Sequence, residues 1–242
     1  MKSNIKIKIY LTKFFIFSSL QKKNIISYFI AYFYGIILQM PLFRDFSDEQ
    51  ATILLWKYEE EEELNPEELL EKENFEKVKE YHPTKLKEML LVRKILKSVL
   101  PDHKILYQDR IPYLFPNDFE ISVTHSFPFA ALAISKNKVG IDIEPFNPKI
   151  ERIRHKFLAE EEGDFMEKGK EVAYLTVIWS VKESLYKIHH SNYWSLKKHY
   201  EVKPFSLDFP YNILCRVHDE KVSDLFKARV EFFDNYCFTI VD

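Results

Sequence analysis

Val139-Gly140-Ile141-Asp142-Ile143-Glu144 alternates apolar residues with a glycine and two carboxylates, and that alternation decides how the region folds. In a β-strand successive side chains face opposite ways, so Val139, Ile141 and Ile143 enter a core while Gly140, Asp142 and Glu144 share the other face. Asp142 and Glu144 then stand roughly 7 Å apart along the strand, on one surface. Both can reach one hard cation, directly or through a water. Mg²⁺ takes one or two protein carboxylates and keeps its other positions for water and phosphate oxygens. The pattern predicts a strand over 139–144 carrying a divalent-metal, phosphate-handling site.

Residues 171–189 add to it. Tyr174, Val177, Ile178, Val181, Leu185 and Ile188 recur at helical spacing and form one broad apolar face. Lys182, Glu183 and Lys187 fall opposite, interleaved with Leu175, Trp179 and Tyr186, which predicts a helix covered on both sides with the three charges lining a cleft. Buried charges need partners, and a metal, a phosphate or each other would serve. On the helix alone a second reading stands beside this one: a solvated Glu183–Lys187 pair at i, i+4, worth a few tenths of a kcal/mol.

Gly140-Ile141-Asp142-Ile143-Glu144 and Trp179-Ser180-Val181-Lys182-Glu183-Ser184-Leu185-Tyr186-Lys187, with 41 positions from Asp142 to Glu183, together resemble the signature of the 4'-phosphopantetheinyl transferases, of the monomeric surfactin-synthetase-activating type. Upstream, His82-Pro83-Thr84-Lys85-Leu86-Lys87-Glu88 with Arg93 resembles that family's basic helix. Ile111-Pro112-Tyr113-Leu114 resembles its Gly-Lys-Pro-Tyr-Leu turn, and Ile121-Ser122-Val123-Thr124-His125-Ser126 its Ser-His-Ser strand end. Arg110-Ile111 stands where the family usually has Gly and a basic residue, and Thr124 where it has a first Ser. Arg resists the positive φ that Gly supplies freely.

The resemblance, which covers Met40 to the C-terminus, implies an α+β fold of two similar subdomains related by a pseudo-twofold axis, each a small, mainly antiparallel sheet packed on helices, with coenzyme A in the cleft between them. It implies transfer of 4'-phosphopantetheine from coenzyme A to a serine of an acyl or peptidyl carrier protein, releasing adenosine 3',5'-bisphosphate. Asp142, Glu144 and Glu183 would hold Mg²⁺, with Mn²⁺ as a substitute. Lys187 and Lys182 would neutralise charge on the pyrophosphate, and His125, Lys85 and Arg93 would bind coenzyme A phosphates. Glu183 is the candidate base, with Lys187 beside it as the second catalytic residue. Lys72 is a further candidate ligand. The resemblance also implies a monomer in the cytoplasm. Two other classes are weighed against it: a metal-dependent phosphodiester hydrolase, and a noncatalytic module that binds coenzyme A or a carrier protein.

Composition narrows the field. The chain of 242 residues is 46% hydrophobic and 16% aromatic, enough to bury a substantial core and to exclude disorder for most of its length. Four Gly and no Gly-rich run exclude the Rossmann and Walker phosphate loops, so phosphate must be held by metal and side-chain cations. The two cysteines, Cys215 and Cys237, have no metal-ligand spacing and read as reduced thiols. Residues 1–39 differ in kind: six Lys, no Asp or Glu, and nine aromatics. Their uncharged run from Asn24 to Leu38 falls short of the roughly 20 residues a membrane-spanning helix needs, so no membrane association is expected. We expect 1–39 to be an extension outside the catalytic fold, followed by an N-terminal subdomain over 40–136 and a C-terminal one over 137–242. Of the 35 basic residues six lie in that extension, leaving 29 against 37 acidic ones, a net of −8. That balance argues against nonspecific nucleic-acid binding, which needs a basic surface, and no nucleic-acid partner is expected.

The remaining elements are expected as a strand near 52–58, helices near 66–80 and 84–99, strands near 120–125 and 130–135 joined through Phe127-Pro128-Phe129, and strands near 212–218, 226–233 and 236–241. Asn65 as cap, Pro66 in the first turn and Glu67-Glu68 behind it mark the first helix start. The last two strands form a hairpin across Asp234-Asn235. Residues 145–170 are the expected region of carrier recognition.

Overall fold

The strands that follow assemble into two larger antiparallel sheets; burial alternates along Tyr200–Val202, Ile213–His218 and the second half of Ser223–Phe233, whereas a central strand such as Phe129–Ser135 is buried on both faces. In this computed structural model, which describes residues 42–242 apart from 61, 72, 73, 75–77, 79, 190–194 and 209–211, residues 41–242 form one compact unit. The extension 1–39 and Lys72 lie outside the described residues. Strands β1 (Leu42–Asp45), β2 (Ala51–Lys57), β5 (Glu120–Ser126) and β6 (Phe129–Ser135) make a four-stranded sheet in the order β1-β2-β6-β5. Between β2 and β5 the chain forms α1 (Pro66–Leu69), α2 (Pro83–Val99) and a separate hairpin of β3 (Lys104–Gln108) and β4 (Ile111–Phe115). After β7 (Gly140–Pro145) come α3 (Ile150–Phe157), α4 (Glu160–Gly163), α5 (Glu171–Ile188) and α6 (Leu196–His199). β8 (Tyr200–Val202), β9 (Ile213–His218), β10 (Ser223–Phe233) and β11 (Tyr236–Val241) then complete a five-stranded sheet in the order β7-β11-β10-β9-β8.

Local chemistry sets most of these boundaries. Asn65 caps α1 by accepting from the Glu67 amide at 3.0 Å, and the His82 ring accepts from Thr84 ahead of Pro83 at the start of α2. The β10–β11 hairpin turns through Asp234 and Asn235 at φ +45° and +66°, conformations that Asn and Asp tolerate better than most residues. The expected turn at 111–114 is instead strand β4, and the turn sits one step earlier, at Asp109 and Arg110. Arg110 adopts φ +70° there, the left-handed conformation that its side chain disfavours. The helix expected over 66–80 is described over Pro66–Leu69.

The core explains the stacking. β6 is buried along its whole length, as befits a central strand covered on both faces. α2 packs on β2, β5 and β6, and on the opposite face Ala131 and Ala133 of β6, with Ile53 and Leu55 of β2, meet Ile141, Ile143, Phe238 and Ile240 of β7 and β11. The small alanines let the sheets approach closely. Beyond the second sheet lies α5, whose Val177, Ile178, Val181, Leu185 and Ile188 pack with Cys237 and Val241. Each such side chain contributes roughly 1.5–3 kcal/mol when fully buried. The order of layers is therefore helix, sheet, sheet, helix.

β7 sits at the junction. Its isoleucines point to the first sheet as the alternation predicts, while the face carrying Gly140, Asp142 and Glu144 is covered by α5. Gly140 permits that cover: a Cβ there would stand 2.1 Å from the Ser184 carbonyl oxygen on α5. The contact is with backbone, so a side-chain rotation cannot relieve it. Gly140→Ala is expected to cost about 3 kcal/mol, measured as a fall in the denaturant midpoint, because α5 must move off β7. Unchanged stability would show that the helix adjusts freely.

Candidate functional site

β7 and α5 bring four of the predicted residues together. Lys187, in the last turn of α5, donates from Nζ to Asp142 Oδ1 and to the Ile141 carbonyl, both at 2.8 Å. It is thus drawn to the strand's carboxylate. Asp142 is 5% exposed. Glu144 lies two residues along on the same face, and its Oε1 accepts from Trp179 Nε1 at 2.9 Å. Glu183 projects from α5 one turn before Lys187.

Crowding three carboxylates in a partly dry place has an electrostatic cost. Burial, then the charge of Asp142, pushes Glu183 up to about 7, against the pull of Lys187. Glu144 is also pushed up to about 7, by burial first and then by Asp142, with Trp179 working the other way. Asp142 Oδ2 is buried without a hydrogen-bond partner. The set fits a hard divalent cation in two respects: every donor is a carboxylate oxygen, and the unsatisfied Oδ2 is an acceptor that a cation would satisfy. Among the described residues no three His, Cys, Asp or Glu side chains converge closely enough to hold a metal ion as they stand.

Asp142 owes its place to strand β5, a contribution the sequence reading missed. β5 and β7 lie side by side, and the β7 amides of Ile141 and Ile143 donate to the Ser122 and Thr124 hydroxyls at 3.0 and 3.2 Å. Thr124 Oγ1 in turn donates to Asp142 Oδ1 at 3.2 Å. Apolar–polar alternation through Ile121-Ser122-Val123-Thr124 suggests a solvated hydroxyl face, yet both residues are buried. The only signal was the repeat of hydroxyls at i, i+2.

Lys182 does not join the cleft, which corrects the expectation that Lys182, Glu183 and Lys187 line it together. Its Nζ is fully buried on another side of α5, bound to Glu162 Oε2 and the Phe157 carbonyl at 2.7 Å and to the Leu196 carbonyl at 3.2 Å. Glu162 also accepts from the Ala159 and Val202 amides, so the pair ties α3, α4, α6 and β8 to α5. Burial holds the Lys182 ammonium below its ordinary range. Lys182→Met is expected to destabilise the fold by about 3–5 kcal/mol by leaving the Glu162 charge uncompensated, read as a fall in the denaturant midpoint. Unchanged stability would return Lys182 to the ligand set.

Arg93 is corrected in the same way. It is 4% exposed on α2 and donates to the Met89 carbonyl within its own helix, so it offers no surface cation. Lys85 is exposed, its Nζ 5.3 Å from the centre of the Tyr81 ring. His125 ends β5 on the side of α2, where its Nδ1 pairs with Glu88 Oε2 at 3.0 Å. The other Glu88 oxygen accepts from the Phe127 amide at 2.8 Å, fixing the ring from both ends of the turn. Glu88 was not singled out from sequence. Lys85 thus stands on α2 and His125 on β5, tied to α2 through Glu88, and neither bonds the acids of β7 and α5 among the described residues.

Both cysteines are free and buried, and burial pushes the Cys215 thiol up to about 12, which leaves it inert. No helix among the described residues is long and apolar enough to cross a membrane. Comparison with curated proteins gives no match to this chain. The segment from β7 to β11, which carries Asp142, Glu144, Glu183 and Lys187, matches the family model of the 4'-phosphopantetheinyl transferase superfamily over residues 138–241.

Proposed function

We propose that this chain is a 4'-phosphopantetheinyl transferase, moving 4'-phosphopantetheine from coenzyme A to a serine of an acyl or peptidyl carrier protein. One observation carries the reading: within the matched segment, Asp142, Glu144, Glu183 and Lys187 meet between β7 and α5. The same reading takes the two sheet-and-helix halves as similar subdomains related by a pseudo-twofold axis, supported by one long helix covering each antiparallel sheet.

The residues divide the work by chemistry. Asp142, Glu144 and Glu183 would hold Mg²⁺, which when bound supplies charge neutralisation across the pyrophosphate. Lys187 has three donors, two committed to Asp142 and Ile141, and the third is available to a phosphate oxygen. Lys85 and His125 bind further coenzyme A phosphates from the first half. Glu183, pushed up to about 7 by burial and by Asp142 in the metal-free protein, is the candidate base, reaching the proton directly or, while it holds Mg²⁺, through a water. It takes the proton of the carrier serine as that oxygen attacks the β-phosphorus in line. The bond from that phosphorus to the bridging oxygen breaks, and adenosine 3',5'-bisphosphate leaves. Trp179 keeps Glu144 oriented throughout.

Intact-mass spectrometry tests this. Apo carrier protein incubated with residues 40–242, coenzyme A and Mg²⁺ is expected to gain one phosphopantetheine, and to gain none with EDTA or with Glu183→Ala. No gain on fatty-acid, polyketide and peptide-synthetase carriers alike would overturn it.

A further inference from the structure

The two oxygens of Asp142 are not equivalent. Oδ1 is saturated, taking the Thr124 hydroxyl at 3.2 Å and the Lys187 ammonium at 2.8 Å, whereas Oδ2 is buried without a partner. Thr124 can make this distinction because of what binds it from behind. The Ile143 amide donates to Thr124 Oγ1 at 3.2 Å, and a hydroxyl that accepts along that line turns its single proton elsewhere, here to Oδ1. Ile143 is the next residue after Asp142, so one hydroxyl fixes both the strand and the carboxylate growing from it. Ser122 makes the same kind of bridge to Ile141 without touching Asp142, which separates strand attachment from carboxylate orientation.

The geometry points to Thr124 as a positioning residue that loads Asp142 Oδ1 and presents Oδ2 alone to a divalent cation. This rests on the reading of Asp142 as a cation ligand. Thr124 bonds Asp142 Oδ1 and the Ile143 amide and leaves Oδ2 alone. Its effect runs through the torsion of the Asp142 side chain: without the hydroxyl, only Lys187 holds Oδ1, and the plane of the carboxylate is no longer fixed, so the free oxygen is aimed less sharply. Outer partners of metal ligands are typically worth 10–100-fold in metal affinity.

Mn²⁺ titration followed by water-proton relaxation reads binding without turnover. Thr124→Val, nearly isosteric, is expected to weaken Mn²⁺ binding 10–100-fold and to raise the half-saturating Mg²⁺ for carrier modification by a similar factor. Thr124→Ser keeps the hydroxyl and is expected within about twofold of wild type on the same scale. Ser122→Ala, which breaks the neighbouring bridge, should lower the melting temperature while leaving Mn²⁺ affinity unchanged. Should Thr124→Val not fold, Thr124→Ala beside Thr124→Ser makes the same comparison. Equal Mn²⁺ affinity in the hydroxyl-free variants and wild type, or equal weakening in Ser122→Ala, would overturn the role, as would a wild type that binds no Mn²⁺. A wild type that binds Mn²⁺ in a Thr124-dependent way yet modifies no carrier would overturn the transferase reading and leave this one standing.

Discussion

Asp142→Asn is expected to lower carrier modification on the order of 10³-fold, with little rescue by excess Mg²⁺, while leaving the metal-free protein at least as stable as wild type. The two halves of that expectation come from one piece of geometry. Asp142 is where the site's interactions meet: it binds Lys187 and Thr124, and its charge helps push up both Glu144 and Glu183. Removing the charge at constant shape discards a cation ligand and lets the two glutamates return toward their ordinary range, where Glu183 is a weaker base. The same change ends the repulsion between buried Asp142 and the two partly buried glutamates and removes the burden of an unsatisfied anionic oxygen, which typically costs 1–3 kcal/mol or more. Against this stands the lost Lys187 pair, which is partly exposed at 26% on the lysine side and so worth about 1 kcal/mol. A site that is strained when empty and needed when working is the usual stability–activity trade-off. Steady-state kinetics beside urea midpoints in EDTA would check both halves. Full activity would remove Asp142 from the site, and a large loss of stability would mean that the ion pair, not the repulsion, dominates.

How much of this was legible beforehand depends on which bonds are involved. Periodicity found β7 and α5 because each buries one apolar face, and the isoleucines and the Val177-to-Ile188 stripe point where their spacing says. It also put Asp142 and Glu144 on one face. It failed where a residue's partner lies on an element far away in sequence. Lys182 and Lys187, five residues apart, lie about 140° apart on a helical wheel, which puts Lys182 at the border of the apolar stripe and not on the acids' side; its partners, Glu162 and two carbonyls, come from the chain between Phe157 and Val202 and leave no mark on the helix itself. Arg93 was read as a surface cation from its place on a basic helix, but the face of α2 that it occupies is the one laid on the sheet. Thr124 stands out in the sequence only as the residue in place of a first Ser, and its consequence appears only when β5 lies beside β7 with hydroxyls in place of a backbone ladder. Side chain to backbone bonds leave almost no trace in composition. The β3–β4 hairpin was missed for a different reason: its turn uses Asp109 and Arg110 in left-handed backbone, where the usual Gly signal is absent.

The metal-free protein is expected to lose stability as pH rises from about 4.5 to about 7, and Mg²⁺ to restore it. Glu144 and Glu183 each keep their protons up to about pH 7 in the folded state, against 4.5 as the ordinary value. Below 4.5 both states hold these protons and the groups contribute nothing. Between 4.5 and 7 the unfolded chain has released them while the folded one retains them, so the unfolded state binds fewer protons and stability falls with rising pH; above 7 the loss is complete. Each group alone would contribute at most about 3 kcal/mol, and because they share the same field and are partly wet, a joint loss of a few kcal/mol is the reasonable scale. A divalent cation binds the ionised forms, so its stabilisation should be large at pH 8 and small at pH 5, reaching about 2.7 kcal/mol at a hundred times its Kd, with proton release on binding near pH 6.5. Other groups titrate in this window, among them histidines, so the informative quantity is the difference between wild type and Glu183→Gln in EDTA. That difference should be near zero at pH 4.5 and favour the variant at pH 8. If instead the wild type gains stability over this range relative to the variant, Glu183 is ionised and satisfied in the empty protein. It would then be a weaker base than the proposed role asks for.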